Sequence, residues 1–168
     1  MLTSLFRERR RARAIRGLTQ SDDAMALALD RHVETAQQAF AAPIAALSLI
    51  SDDVQAIRAA RGVEVGCIPR ADGFCTVTLE EPGVLECCDA LTDPRFSALP
   101  CVIGDPFIRY YIGAPLRLMN GLEVGVLCVA DVVGRRPASP DQKAYLLGLA
   151  RQASLALEGA RGMRRLAA

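Results

Sequence analysis

Two apolar runs, Ile108 to Met119 and Leu122 to Val132, meet at Asn120-Gly121. Asn-Gly takes the left-handed backbone of a tight turn more readily than almost any other dipeptide, so the runs predict a long antiparallel hairpin. A second hairpin is predicted upstream. Ile44 to Ile50 is short, apolar and bounded, Ser51-Asp52-Asp53 is a turn, and Val54 to Arg61 alternates as the returning strand before Gly62.

The remaining segments frame these strands. Met25, Leu27, Leu29, Val33, Ala36 and Phe40 recur at helical spacing up to Pro43, with Ser21 as a candidate cap and Asp22 and Asp23 at the positive end of the helix dipole. Residues 62–74 hold Gly62, Gly66, Pro69 and Gly73 and read as a loop. A short helix is expected from Phe74 to Glu80, ended by Pro82-Gly83, and a third strand from Val84 to Ala90. Asp93-Pro94 opens one helical turn, with Pro94 at the first helical position, and Pro100 to Pro106 reads as loop. Ser139 or Asp141 caps a closing helix carrying Leu146, Leu147, Leu149, Leu155 and Leu157 and running towards Met163. Helices at both ends of an antiparallel sheet imply an α+β fold.

Composition narrows the function classes. With 51% hydrophobic and 23% charged residues the chain is globular, and 5% aromatic residues with no Trp leave few platforms for stacking bases. Arg7, Arg9, Arg10, Arg11, Arg13 and Arg16 crowd the first turns against Glu8 alone, so the rest of the chain is mildly acidic. Such a basic leader can touch nucleic acid or a membrane surface, or form a solvated helix face. No run is long enough to span a membrane and the apolar start is too short for a signal peptide, so a cytoplasmic location is expected. The six cysteines are then thiols; none shows CxxC spacing and His32 lies far upstream, which argues against a metal site.

One run of motifs carries a family resemblance. Asp89-Ala90-Leu91-Thr92-Asp93-Pro94-Arg95-Phe96 is followed by Pro100, Gly104-Asp105-Pro106 and Ile108-Arg109-Tyr110-Tyr111-Ile112-Gly113-Ala114-Pro115-Leu116. Gly121, Gly125-Val126-Leu127-Cys128-Val129 and Asp131 complete it, with Phe74-Cys75 upstream. In this order the chain, from about residue 30 to 158, resembles the GAF domain family, in particular the bacterial group found with histidine kinases and cyclic-dinucleotide enzymes. The resemblance implies an antiparallel sheet of five or six strands, with the N- and C-terminal helices packed on one face and loops and short helices over a pocket on the other. Gly66-Cys67-Ile68-Pro69 and Cys87-Cys88 depart from common members. Members bind very different small molecules or none, so the fold alone names no ligand.

Resemblance and strand-face parity together nominate Phe74, Cys75, Asp89, Phe96, Arg109, Tyr111 and Leu127 as ligand-binding residues. Arg109 and Tyr111 share a strand face; the competing role for Arg109 is an ion pair with Asp89, Asp93 or Asp131. Cys67, Cys87, Cys88 and Cys101 are the redox candidates, with one of the adjacent pair expected in the core and the other exposed. Cys75 and Cys128 read as buried small hydrophobes. No nucleophile elbow, phosphate loop or His general base is present, and the adjacent carboxylate pairs read as caps and surface, so no catalytic residue and no cofactor are assigned.

The chain is therefore expected to hold a basic leader or helix over 1–20 and one GAF-like domain over 21–168. It is expected to act as a stand-alone, non-catalytic sensory or regulatory domain in signal transduction, binding an unknown small molecule or a signalling partner. Apolar stripes on the terminal helices suggest a homodimer. The alternatives are a thiol-dependent enzyme resembling free methionine sulfoxide reductase, or a redox-sensing or adaptor module using its basic arm.

Overall fold

The computed structural model describes residues 2–18 and 23–167, with side chains over 5–18 and 23–160. The candidate cap Ser21 and its neighbour Asp22 lie outside the described residues. Helices α1 (Leu2–Leu18) and α2 (Asp23–Phe40) precede the hairpin β1 (Ile44–Ser51) and β2 (Val54–Arg61). Then come β3 (Gly66–Pro69), a 3-10 turn over Arg70–Asp72, α3 (Phe74–Glu80), β4 (Leu85–Cys87), α4 (Pro100–Ile103), β5 (Tyr110–Arg117), β6 (Glu123–Asp131) and α5 (Pro140–Ala167).

The six strands form one antiparallel sheet in the order β3-β2-β1-β6-β5-β4. The β5–β6 hairpin closes over Met119-Asn120-Gly121, where Gly121 supplies the positive φ of 79° and Asn120 Oδ1 accepts the Leu122 N–H at 3.0 Å. β1 and most of β5 and β6 are buried along their whole length, because both faces of the sheet are covered. On one face Leu47, Leu49, Ile112, Leu127 and Val129 meet α1, α2 and α5; on the other Ala46, Ile50, Tyr111, Val126 and Cys128 meet α3, α4 and the loops.

Local chemistry accounts for the helix ends and for three departures from expectation. Ser139 Oγ accepts the Gln142 N–H at 3.1 Å while Gln142 Oε1 accepts the Ser139 N–H at 2.9 Å, a reciprocal cap that starts α5. The segment read as loop over 62–74 contains β3, which pairs with β2 from Val54–Pro69 to Ile57–Gly66; an edge position tolerates both Gly66 and Pro69. The strand expected over Val84 to Ala90 shortens to Leu85–Cys87. α4 occupies part of the expected loop, with Pro100 in its first turn, where a missing N–H costs nothing.

The Arg-rich leader is a helix folded onto the body. Ala12, Ala14, Ile15 and Leu18 are buried beneath it, and so is Arg11, at 3% exposed. Arg11 Nε donates to the Glu123 carbonyl at 2.8 Å and its guanidinium pairs with Glu8. Most of the α2 and α5 stripes are likewise used against the chain's own sheet, leaving Leu27 and Leu155 exposed. Among the described residues no helix is long and apolar enough to cross a membrane.

Candidate functional site

On the face opposite the terminal helices, α3, α4, β3 and the loop before β5 close over the middle of the sheet. They leave a cavity of about 320 Å³ lined mainly by apolar side chains. β1 contributes Ile44 and Ala46, β2 contributes Gln55 and Ile57, and β6 contributes Cys128 and Ala130. Phe74, Cys75 and Tyr111 line it from α3 and β5.

Aromatic stacking builds one wall. The Phe74 ring lies 4.7 Å from Tyr111 and 4.6 Å from Phe96, both in stacked arrangements. Phe96 is fully buried behind Phe74 and braces the wall without lining the cavity.

A polar cluster sits at the buried end. Gln55 Nε2 donates to Ser48 Oγ at 3.1 Å and to Cys75 Sγ at 3.4 Å, and the Tyr111 hydroxyl donates to Cys75 Sγ at 3.6 Å. Thr78 Oγ1 lies 2.8 Å from the same hydroxyl. Gln55 Oε1, by contrast, has no partner among the described residues, although the residue is 95% buried. A Cβ on Gly73 would stand 2.0 Å from that oxygen, so only glycine lets the amide lie where it does.

Cys75 and Cys128 form a tightly coupled buried pair. A hydrogen bond from the Cys128 thiol favours the Cys75 thiolate, reinforced by Tyr111, Ser48 and Gln55, and lowers the Cys75 pKa against the opposing effect of burial. The same bond, together with burial, raises Cys128 well above the ordinary thiol value. Burial also raises Cys101, which lines the cavity, and raises Tyr111, helped by the neighbouring Cys75 charge.

The expected site residues divide accordingly. Phe74, Cys75 and Tyr111 line one cavity and Phe96 backs it. Leu127 does not belong there: it alternates with Cys128 along β6 and is buried on the helix side. Asp89 is also elsewhere, in a shallow surface groove with Asp93 and Arg95, its Oδ1 accepting the Leu91 N–H at 3.1 Å. Arg109 neither lines the cavity nor joins an ion pair with the expected aspartates. Its Nη1 donates to the Val102 and Ile108 carbonyls at 2.8 and 3.0 Å, while Arg95 pairs with Asp93 and Arg135 with Asp131. It ties α4 to the start of β5.

The redox candidates are dispersed. Cys67 is exposed on edge strand β3. Cys87 is buried on the cavity side of the sheet, and burial with the nearby Asp93 pushes its pKa up to about 12. Cys88 is half-buried on the other face rather than exposed, and burial beside Glu86 raises its pKa too. Cys101 joins Cys75 and Cys128 at the cavity, a grouping that sequence spacing did not indicate. Among the described residues no group of three or more His, Cys, Asp or Glu is arranged to hold a metal ion. Gln55, Gly73, Asp72 and Asp105 also went unrecognised in the sequence; Gln55 shares its strand with Arg58 and Arg61, so its polarity gave no signal of a buried role.

Comparison with known proteins agrees with this architecture. The chain is 42% identical over 112 residues to a cyclic di-GMP phosphodiesterase of Pseudomonas aeruginosa, a match covering 67% of this chain and 19% of that protein. It therefore spans about a fifth of the length of the curated relative it matches. The GAF domain of a phosphoenolpyruvate-protein phosphotransferase from Coxiella burnetii superposes with a TM-score of 0.70 at 17% identity, over 92% of this chain and 94% of that one. The free methionine-R-sulfoxide reductase of Neisseria meningitidis, solved with its substrate, superposes at 0.68 and 19% identity, over 87% and 84%. At such identities the two structures show the shared fold alone. The sequence profile of the GAF domain matches residues 25–157, and the chain belongs to the GAF domain family.

Proposed function

We propose that the chain is a non-catalytic sensory domain that takes a small molecule into the cavity between α3, α4 and the sheet and passes its occupancy to a signalling partner. Family membership supports a sensory or regulatory role. The observation that carries the ligand reading is Gln55 Oε1, a buried acceptor without a donor among the described residues, in the wall of a 320 Å³ cavity. That volume lies near the lower end of the roughly 300–1,000 Å³ usual for small-molecule sites. Native mass spectrometry of freshly purified protein tests the proposal. A retained mass that disappears in Ala46→Phe, which fills the cavity, is the supporting result; a bare chain that gains no thermal stability from any metabolite fraction opposes it.

The output side is proposed to be the terminal helices, with a homodimer joined through α2 and α5 around Leu27 and Leu155, both more than half exposed. Sedimentation that stays monomeric at high concentration would remove the dimer.

A second reading has its own observation. Cys75, Cys101 and Cys128 share the cavity, and Cys75 is held towards its thiolate. In a thiol-dependent reductase two such thiols become a disulfide while a sulfoxide oxygen leaves as water. Turnover of free methionine sulfoxide with a thiol reductant, lost in Cys75→Ser, would establish this reading; an inert wild type dismisses it.

A further inference from the structure

The cavity wall has a definite polarity. Asp72 and Asp105 are the charged residues among those that line it, and no Lys, Arg or His is among them. Arg70, two positions before Asp72, is engaged with Glu8. Asp105 is exposed and Asp72 half-buried, so their repulsion of an anion is screened by water. An anion entering this space would still give up its own water for a lining with no counter-charge. A cation or a neutral donor meets the opposite situation.

Hydrogen bonding leads independently to the same chemistry. Gln55 is 5% exposed, and its amide nitrogen is occupied by Ser48 and Cys75. Its oxygen has no partner among the described residues and sits beside Gly73, where both residues line the cavity. A buried acceptor in this state is destabilising until a donor reaches it. The mutually stacked Phe74 and Tyr111 rings add apolar carbon to the same lining.

We infer that the cavity takes a small, largely apolar molecule, neutral or cationic, that presents an N–H or O–H donor to Gln55 Oε1, and that it rejects carboxylates and phosphates. The inference rests on the cavity being a ligand site. A cationic group on the ligand would be directed to Asp72 and Asp105, and the donor to Gln55.

Nitrogen-labelled protein titrated with indole, indene, benzamidinium and benzoate, and followed by the amide signals of Cys75, Cys128 and Ala130, tests it. Indole and benzamidinium are expected to move these signals, indene to bind about tenfold more weakly than indole, and benzoate to leave them in place. Gln55→Leu should bring indole and indene together, with Gln55→Met as the substitute should the leucine variant fail to fold. Asp72→Asn combined with Asp105→Asn should remove any advantage of benzamidinium over indole. Equal binding of indole and indene, or benzoate binding as well as benzamidinium, would overturn the ligand class while leaving the cavity a binding site. Silence of all the probes at these amides would overturn the class as well. The cavity reading itself falls only if native mass spectrometry and the Ala46→Phe control also find nothing.

Discussion

Arg70 donates from Nη1 to Glu8 Oε2 at 2.9 Å and from Nη2 to Glu8 Oε1 at 3.2 Å, so the 3-10 turn at the cavity rim is tied to the first helix. Arg11 holds the same carboxylate from within α1, and Arg70 also donates to the Asp52 carbonyl at 3.2 Å. Replacing Glu8 by Gln removes the charge from a half-buried network and is expected to cost about 1 kcal/mol. It should also speed tryptic cleavage at the exposed Arg9, Arg10 and Arg13. Unchanged melting and cleavage would show that Ile15 and Leu18 hold the helix without help.

Glu8 also sets an acid limit. Burial raises its pKa, but the Arg70 hydrogen bond and the charges of Arg11 and Arg70 outweigh that and hold it below the ordinary 4.5. The Arg95 hydrogen bond likewise holds Asp93 below 3.8. Because both folded values are depressed, their stabilisation is complete above the ordinary values and is lost as pH falls through the folded ones. Thermal unfolding against pH should therefore show a loss beginning below about pH 4.5, shallower in Glu8→Gln. An identical acid limb in both proteins would refute the assignment.

Gly73→Ala should close part of the cavity. The new methyl would stand 2.0 Å from Gln55 Oε1 and force that amide out of its bonds to Ser48 and Cys75. A loss of about 1–3 kcal/mol in denaturant unfolding is expected, with weakened ligand retention. Retained binding at full affinity would mean that the Gln55 amide is free to swing.

Leu127→Ala and Ala46→Phe should separate stability from binding. Leu127 is fully buried under the terminal helices, and its truncation should cost about 2–5 kcal/mol while leaving the cavity able to bind. Ala46→Phe should abolish binding whatever its effect on melting. Loss of binding in Leu127→Ala at temperatures where it stays folded would contradict the division of the core.

Alkylation by iodoacetamide, followed by mass spectrometry, should label Cys67 first because it is the exposed thiol. Cys87, buried and pushed up to about 12, should react only after unfolding. Cys75 combines a lowered pKa with full enclosure, so its rate should depend on opening of the cavity and fall when a ligand occupies it. Labelling of Cys87 ahead of Cys67 in the folded protein would invalidate this ranking.

Much of the scaffold was readable because local rules decide it. Asn120-Gly121 set the central hairpin, Phe74 and Glu80 bounded α3, and Ser139, one of two candidate caps with Asp141, started α5, its partner Gln142 appearing only in the structure. β3 was hidden because Gly66 and Pro69 are loop residues everywhere except at a sheet edge, and edge pairing is a tertiary property. The site was less readable. In a strand covered on both sides, Leu127 and Cys128 are equally apolar, so hydrophobicity does not tell which one faces the cavity. Gln55 looked like the solvent side of an alternating strand until α3 and the Gly73 turn covered it. Arg11 was hidden among exposed arginines, since only the Glu123 carbonyl across the fold distinguishes it.

β6 belongs to two compartments at once. Cys128 and Ala130 border the cavity, while Leu127 and Val129, their immediate neighbours, bear on the terminal helices. One peptide unit separates the two sides, and each unit is rigid. A guest that shifts the backbone at Cys128 would be expected to shift it at Leu127 as well. The strand is thus a party wall, and under the proposed function it is the shortest route by which a receiver on the outer helices would sense the chamber's contents.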